Sequence, residues 1–274
     1  MPSLGSYIPV ADGELYIEVI GAGSPVVLIH GFGLDHRMWD HEAERLTPRH
    51  LVVRYDLRGF GKSSLPTGPF SHASDLRAML AHLGISGAHL VGLSLGGGIA
   101  IDFALLHPEI VRSLVLVDSF ISGFLWKADS DVMRAPWRIG RLKGIEAARA
   151  TWLASPTFAP ALARPRAARR LREMVADYSG WHWVNHDPHQ PPDPPAIARL
   201  REIRAETLIL IGELDLADFR DIAKRLEREI PRARRVVLPG VGHMSNLEEP
   251  DAFADTLAGF LDSTQHSTSP ESPT

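Results

Sequence analysis

The sequence predicts an α/β fold, a doubly wound and mostly parallel sheet, on three observations. Apolar-rich runs recur at residues 25–30, 50–56, 88–91, 113–118 and 206–212, as strands covered on both faces require. Helical spacing fills most of the intervals between them, the alternation that produces parallel strands joined by right-handed crossovers. The rhythm stops near Ser119 and returns at Glu206, so a helical cap is expected as an insertion.

Taken in order, residues 14–20 alternate polar and apolar before Gly21, the pattern of an antiparallel strand with one face in water. The run at 25–30 is apolar throughout up to His30, which places the next strand at the centre of the sheet. Helical spacing at 35–46 leads to a buried strand at 50–56. Residues 71–83 are helical again, with Asp75, Arg77 and His82 interrupting the apolar positions. After strands at 88–91 and 113–118 comes the expected cap, 119–205, which holds most of the tryptophans and a proline-dense run from Pro188 to Pro195. The closing segment offers a strand at 206–212, a helix at 218–230, a strand at 235–238 and a helix at 249–261. The expected division is a core of 1–118 and 206–262, a cap of 119–205, and a disordered Ser/Thr/Pro-rich tail of 263–274.

Composition excludes several classes of function. A length of 274 residues buries a sizeable core, and a formal charge of −4 gives no reason to expect a nucleic-acid partner. The absence of cysteine removes disulfides, thiolate zinc sites and a cysteine nucleophile together. No apolar run is long enough to span a bilayer, and the first residues lack a secretory pattern, so a soluble, cytoplasmic protein is expected. Oligomeric state is left open.

The chemistry concentrates in short stretches at strand ends. Gly92-Leu93-Ser94-Leu95-Gly96 joins a strand to a helix and lifts Ser94 onto a tight turn, with no room for side chains two positions to either side. A serine there is a nucleophile candidate. The strand ending at Ile29 leads into His30-Gly31-Phe32-Gly33, where the Phe32 N–H joins the Leu95 N–H as a candidate oxyanion donor. His243 follows the last strand and is the candidate general base. Asp215, after the penultimate strand, is the candidate acid, with Asp118 its competitor and Asp218 a third choice that also suits a helix N-cap.

Other stretches have plainer readings. Gly59-Phe60-Gly61-Lys62-Ser63 resembles the end of a phosphate-binding loop, but Asp56 stands where the first glycine belongs, so residues 56–63 read as a structural loop. His182, His186 and His189 lie close in sequence, yet the neighbouring prolines and aromatics argue against a regular metal site. Trp181 and Trp183 are expected to pack the cap and to line part of the pocket. Residues 132–176 carry ten Arg or Lys against two Glu, a solvated face or a clamp for an anionic substrate, with Arg134, Arg138 or Arg141 as candidates and Arg138 placed at the pocket.

In this order the motifs resemble the α/β-hydrolase superfamily, from about Tyr16 to Leu261. The resemblance implies an eight-stranded, mostly parallel sheet, a helical cap after the sixth strand, and a triad of Ser94, Asp215 and His243. Glu206 departs from a proline common in the family, which bears on strand entry and not on chemistry. The stretch from His30 to Trp39 is similar to the enol-lactonase and small carboxylesterase branch. Haloalkane dehalogenases and epoxide hydrolases carry Asp where Ser94 stands, and many carbon–carbon hydrolases carry Trp where Met244 stands. What the resemblance implies is a cofactor-free serine hydrolase acting on a small-molecule ester or lactone, with no metal. Carbon–carbon hydrolysis, perhydrolase or peroxidase chemistry on the same triad, and a non-catalytic ligand-binding role are the alternatives.

Overall fold

The structure, a computed structural model, describes residues 5–266. Among these, eight strands form one sheet: β1 (Ser6–Val10), β2 (Gly13–Gly21), β3 (Ser24–Ile29), β4 (His50–Tyr55), β5 (Ala88–Leu93), β6 (Val111–Val117), β7 (Glu206–Gly212) and β8 (Ala233–Leu238). Their spatial order is β1-β2-β4-β3-β5-β6-β7-β8. β2 pairs antiparallel with β1 and β4, and every later pairing is parallel. The parallel strands β3 and β5 are buried almost end to end, as their unbroken apolar runs require. β1 carries no such signal: Ile8 is its single buried residue, and Pro9 is tolerated because the strand lies at the edge.

Helices α1 (Asp40–Leu46), α2 (His72–His82) and α3 (Leu95–Leu106) connect the first strands. The spacing at 35–46 predicts one helix, and the chain instead makes a 3₁₀ turn at His36–Trp39 before α1. Between β6 and β7 the chain adds no strand and forms α4 (Ser130–Lys143), α5 (Ile145–Leu153), α6 (Ala159–Leu162), α7 (Pro165–Asp177) and α8 (Trp181–Val184). After β7 come α9 (Ala217–Glu229), the single turn α10 (Ser245–Glu248) and α11 (Pro250–His266). The disordered tail expected from Ser263 begins too early. The Ser263 and Thr264 hydroxyls donate back to the Phe260 and Leu261 carbonyls at 2.7 and 2.9 Å, which suits them to a last helical turn. Residues 267–274 lie outside the described residues.

Loop 56–63 is structural. Asp56 accepts the His36 and Lys62 backbone N–H groups at 2.8 and 2.9 Å, and the Ser63 hydroxyl donates to the Asp56 carbonyl at 2.6 Å. Arg58 forms a two-pronged ion pair with Asp75 at 2.8 and 2.7 Å and donates to the Ala11 carbonyl at 2.7 Å. Asp75, an interruption in the apolar pattern of α2, is therefore the buried partner of a buried arginine.

The topology brings the candidate residues together. From β3 the chain crosses to β4 on one side and later reaches β5 on the other, so the carboxyl ends of β3 and β5 flank a topological switch point. Phe32 follows β3 and Ser94 follows β5. Asp118, Asp215 and His243 follow β6, β7 and β8 at the same edge.

Candidate active site

The turn after β5 is tight enough to exclude Cβ atoms. One added at Gly92 would lie 2.2 Å from the Gly96 carbonyl oxygen, and one at Gly96 would lie 2.2 Å from the Ile29 carbonyl oxygen. Ser94 itself sits at φ 54° and ψ −112°, a conformation that costs a side-chain-bearing residue about 1–3 kcal/mol. Its backbone is held in place: Ser94 N–H donates to Val117 O at 2.9 Å, and Ser94 O accepts from Gly98 and Phe120 at 3.1 and 3.0 Å. Ser94 is also the N-cap of α3, so the unpaired N–H groups of the first helical turn lie beside it. Among the described residues the Phe32 and Leu95 N–H groups donate to no protein acceptor.

His243 and Asp215 meet directly. The His243 Nδ1 lies 2.9 Å from Asp215 Oδ2, with both side chains almost fully buried. Asp215 Oδ1 accepts the Leu216 N–H at 2.7 Å, and the Phe219 ring packs 4.3 Å from the imidazole. Glu248 grips the backbone on both sides of the histidine, accepting Gly242 N–H at 2.8 Å and Met244 N–H at 3.1 Å. Arg164, from the insertion, reaches the same carboxylate at 2.9 Å. Nothing in the sequence pattern singles out Glu248.

Asp118 lies beside this pair without bonding the histidine. Its two oxygens accept the Gly212 N–H at 2.8 Å and the Ser245 hydroxyl at 2.7 Å. Burial, reinforced by the negative charge of Asp215, pushes the Asp118 carboxyl well above the usual range. Asp218 is not the N-cap of α9 but lies within its first turn, where it accepts the Lys127 and Asp129 N–H groups at 2.9 Å each.

Ser94, Leu95, Phe32 and His243 all line one cavity of about 250 Å³. That exceeds the roughly 150 Å³ that accepts a benzene molecule. Its wall is mainly aromatic: Phe60, Phe120, Trp137, Trp152 and Phe219, with Met133. Phe32 is the hub, with ring contacts to Phe60 at 5.3 Å, Trp137 at 4.8 Å and Trp152 at 5.5 Å.

Three expected pocket residues lie elsewhere. Trp183 is fully buried behind the wall, its ring 4.9 Å from Tyr178, and Trp181 is half-buried outside the lining. Arg138 is exposed. Met133 and Trp137, four residues apart, give α4 its cavity-facing side, and Arg134, Arg138 and Arg141 are left in solvent. That spacing is the legible signal for the cavity wall. His186 is exposed and outside the lining, whereas His182 and His189 line the cavity with His72. Among the described residues no helix is long and apolar enough to cross a membrane.

The chain is similar to several known proteins. The chain is 31% identical over 93% of its length, and 97% of the relative's, to the protein named Putative carbamate hydrolase RutD from Azorhizobium caulinodans. A thermophilic esterase from Thermogutta terrifontis is similar in structure, with a TM-score of 0.79, 27% identity and coverage of 96% of this chain and 99% of that one. The enol-lactonase from Burkholderia xenovorans LB400 shares the fold at a TM-score of 0.79 and 24% identity, covering 94% of this chain and 100% of that one. Residues 26–256 match the alpha/beta hydrolase family, so the chain belongs to that family and is a hydrolase.

Proposed function

We propose that the chain is a serine hydrolase that cleaves a carboxylic ester or lactone through an acyl-enzyme intermediate. The observation that carries the reading is the 2.9 Å contact of His243 Nδ1 with Asp215, made where His243 and Ser94 line one aromatic cavity. Asp215 fixes the ring so that Nε2 is the free base, and it stabilises the imidazolium that forms. His243 takes the Ser94 proton as Oγ attacks the carbonyl carbon, and the charge that develops on the carbonyl oxygen is received by the Phe32 and Leu95 N–H groups. The tetrahedral intermediate collapses with His243 protonating the leaving alcohol. Water then repeats the sequence on the acyl-enzyme and frees Ser94. An esterase at 27% identity supports the ester reading, and the relative named as a carbamate hydrolase supports a carbonyl compound as substrate.

A fluorophosphonate probe tests this directly. The wild type takes up one label, mapped by peptide mass spectrometry to Ser94, and hydrolyses p-nitrophenyl esters, while Ser94→Ala does neither. Labelling elsewhere, or ester turnover that survives Ser94→Ala, overturns the assignment. Labelling without turnover on esters or lactones points to the ligand-binding alternative.

A further inference from the structure

Beyond Phe60 the cavity wall stops being only apolar. His72 at the start of α2, His182 in α8 and His189 shortly after it all line it, and His72 and His182 are each 3% exposed. His72 Nδ1, His182 Nε2 and His189 Nδ1 are buried with no hydrogen-bond partner among the described residues. Unpaired buried polar atoms are costly, so three in one patch call for an occupant that pairs them.

The rings are firmly set. His182 stacks on Phe60 at 4.4 Å, and the His72 and His189 rings lie 4.6 Å apart, both against Phe70. The Tyr178 hydroxyl oxygen accepts the His182 backbone N–H at 3.2 Å and lies 2.7 Å from His182 Nδ1, to which we assign the hydroxyl proton because it has no other acceptor among the described residues. The ring proton of His182 is thereby assigned to Nε2, a donor facing no acceptor. Burial keeps the set neutral: His72 is pushed well below the ordinary histidine range, His182 down to about 4, and His189 down as well. Each neutral imidazole offers one donor and one acceptor nitrogen.

The surroundings select the ligand. Among the described residues no Lys or Arg lines the cavity, whereas the Asp187 carboxylate does, so an anionic group would meet repulsion without a counter-ion. An alkyl group would leave the nitrogens unpaired. The three side chains do not bring their nitrogens within 4.8 Å of one another, which sets them apart from a metal cage.

We propose that His72, His182 and His189 form a polar subsite that recognises a neutral hydroxyl or carboxamide carried by the substrate away from the scissile carbonyl. The proposal rests on the ester-hydrolase reading only for what that group is attached to. The test is a set of p-nitrophenyl esters of matched length ending in methyl, hydroxyl, carboxamide or carboxylate, assayed on the wild-type protein.

At the best chain length, kcat/KM for the hydroxyl or carboxamide ester exceeds that for the methyl ester about ten-fold or more, and the carboxylate ester is the poorest. In His72→Phe and His182→Phe that ratio falls towards one. Methyl esters equal or better at every length overturn the proposal, as does a ratio unmoved in both variants; the wild-type comparison stands even where a variant fails to fold. Binding of the matching unreactive amides to Ser94→Ala, read by calorimetry, separates the two readings. A ten-fold tighter hydroxyl-ended amide with no ester turnover in the wild type sinks the esterase reading and keeps the subsite, and equal binding sinks the subsite alone.

Discussion

Two acids stand beside His243, and their environments give them different roles. Asp215 bonds the imidazole, while burial and the negative charge of Asp215 push the Asp118 carboxyl well above its usual range. Asp215→Asn should therefore cost about 10⁴ in kcat, as for the acid of other triads, with little loss of stability. Asp118→Asn should stay within about ten-fold of wild type, because Asp118 bonds the Gly212 N–H and the Ser245 hydroxyl and not the imidazole. Steady-state rates on one p-nitrophenyl ester decide it, and the reverse order would make Asp118 the triad acid. A third carboxyl, Glu42, shows what burial does without a charge partner: it is pushed up to about 8 from an ordinary 4.5. The native state then keeps a proton that the unfolded chain has released, so Glu42 makes stability fall as pH rises from about 4.5 towards 8. The slope is at most about 1.4 kcal/mol per pH unit. Glu42→Gln should flatten that fall, seen as a Tm that declines less than the wild type's between pH 5 and pH 8.

Among the elements, the turn into α3 tolerates least. The atom that a Cβ at Gly92 would strike, at 2.2 Å, is backbone oxygen that no rotamer moves, so Gly92→Ala should lose more than about 2 kcal/mol in urea unfolding and most of its fluorophosphonate labelling. This element was legible from sequence because two glycines around a serine, between an apolar strand and an apolar helix, leave few other geometries. The parallel strands were legible for the same reason, since burial on both faces demands an unbroken apolar run. β1 was not, having a single buried residue to show. The cavity wall is not legible around Trp181 and Trp183 because α8 is one turn long and has no periodicity to read. In α4 the Met133–Trp137 pair faces the cavity and Arg138 is exposed, so the helix's charge is no guide to its cavity side. Where a helix has a face, spacing reveals it; where a segment is fixed by its partners across the chain, as Glu248 and the three cavity histidines are, only the assembled fold does.

For the molecule as a whole, the insertion does more than cover the cavity: it helps to hold the loop that carries His243. Arg164, just ahead of α7, donates to Glu248 at 2.9 Å and to the Gly240 carbonyl at 2.9 Å, spanning both ends of the loop that carries His243. Glu248 is fully buried, and burial raises its carboxyl above the usual range even with the guanidinium beside it. Removing the cation leaves that carboxylate worse placed to stay ionised, and a protonated Glu248 gives up one of its grips on the Gly242 and Met244 N–H groups. Arg164 is about 30% exposed, so solvent softens the penalty, and Arg164→Ala should cost about 1–3 kcal/mol in stability. The more telling readout is kinetic. A loop that lets His243 wander from Asp215 should lower kcat about ten-fold while KM stays near wild type, because the cavity wall that binds substrate is untouched. Arg164→Lys, which restores the charge but cannot reach Glu248 and Gly240 at once, should recover stability more than kcat. If Arg164→Ala lowers the Tm and leaves kcat unchanged, the insertion serves as a cover alone, and the position of His243 is set within the core.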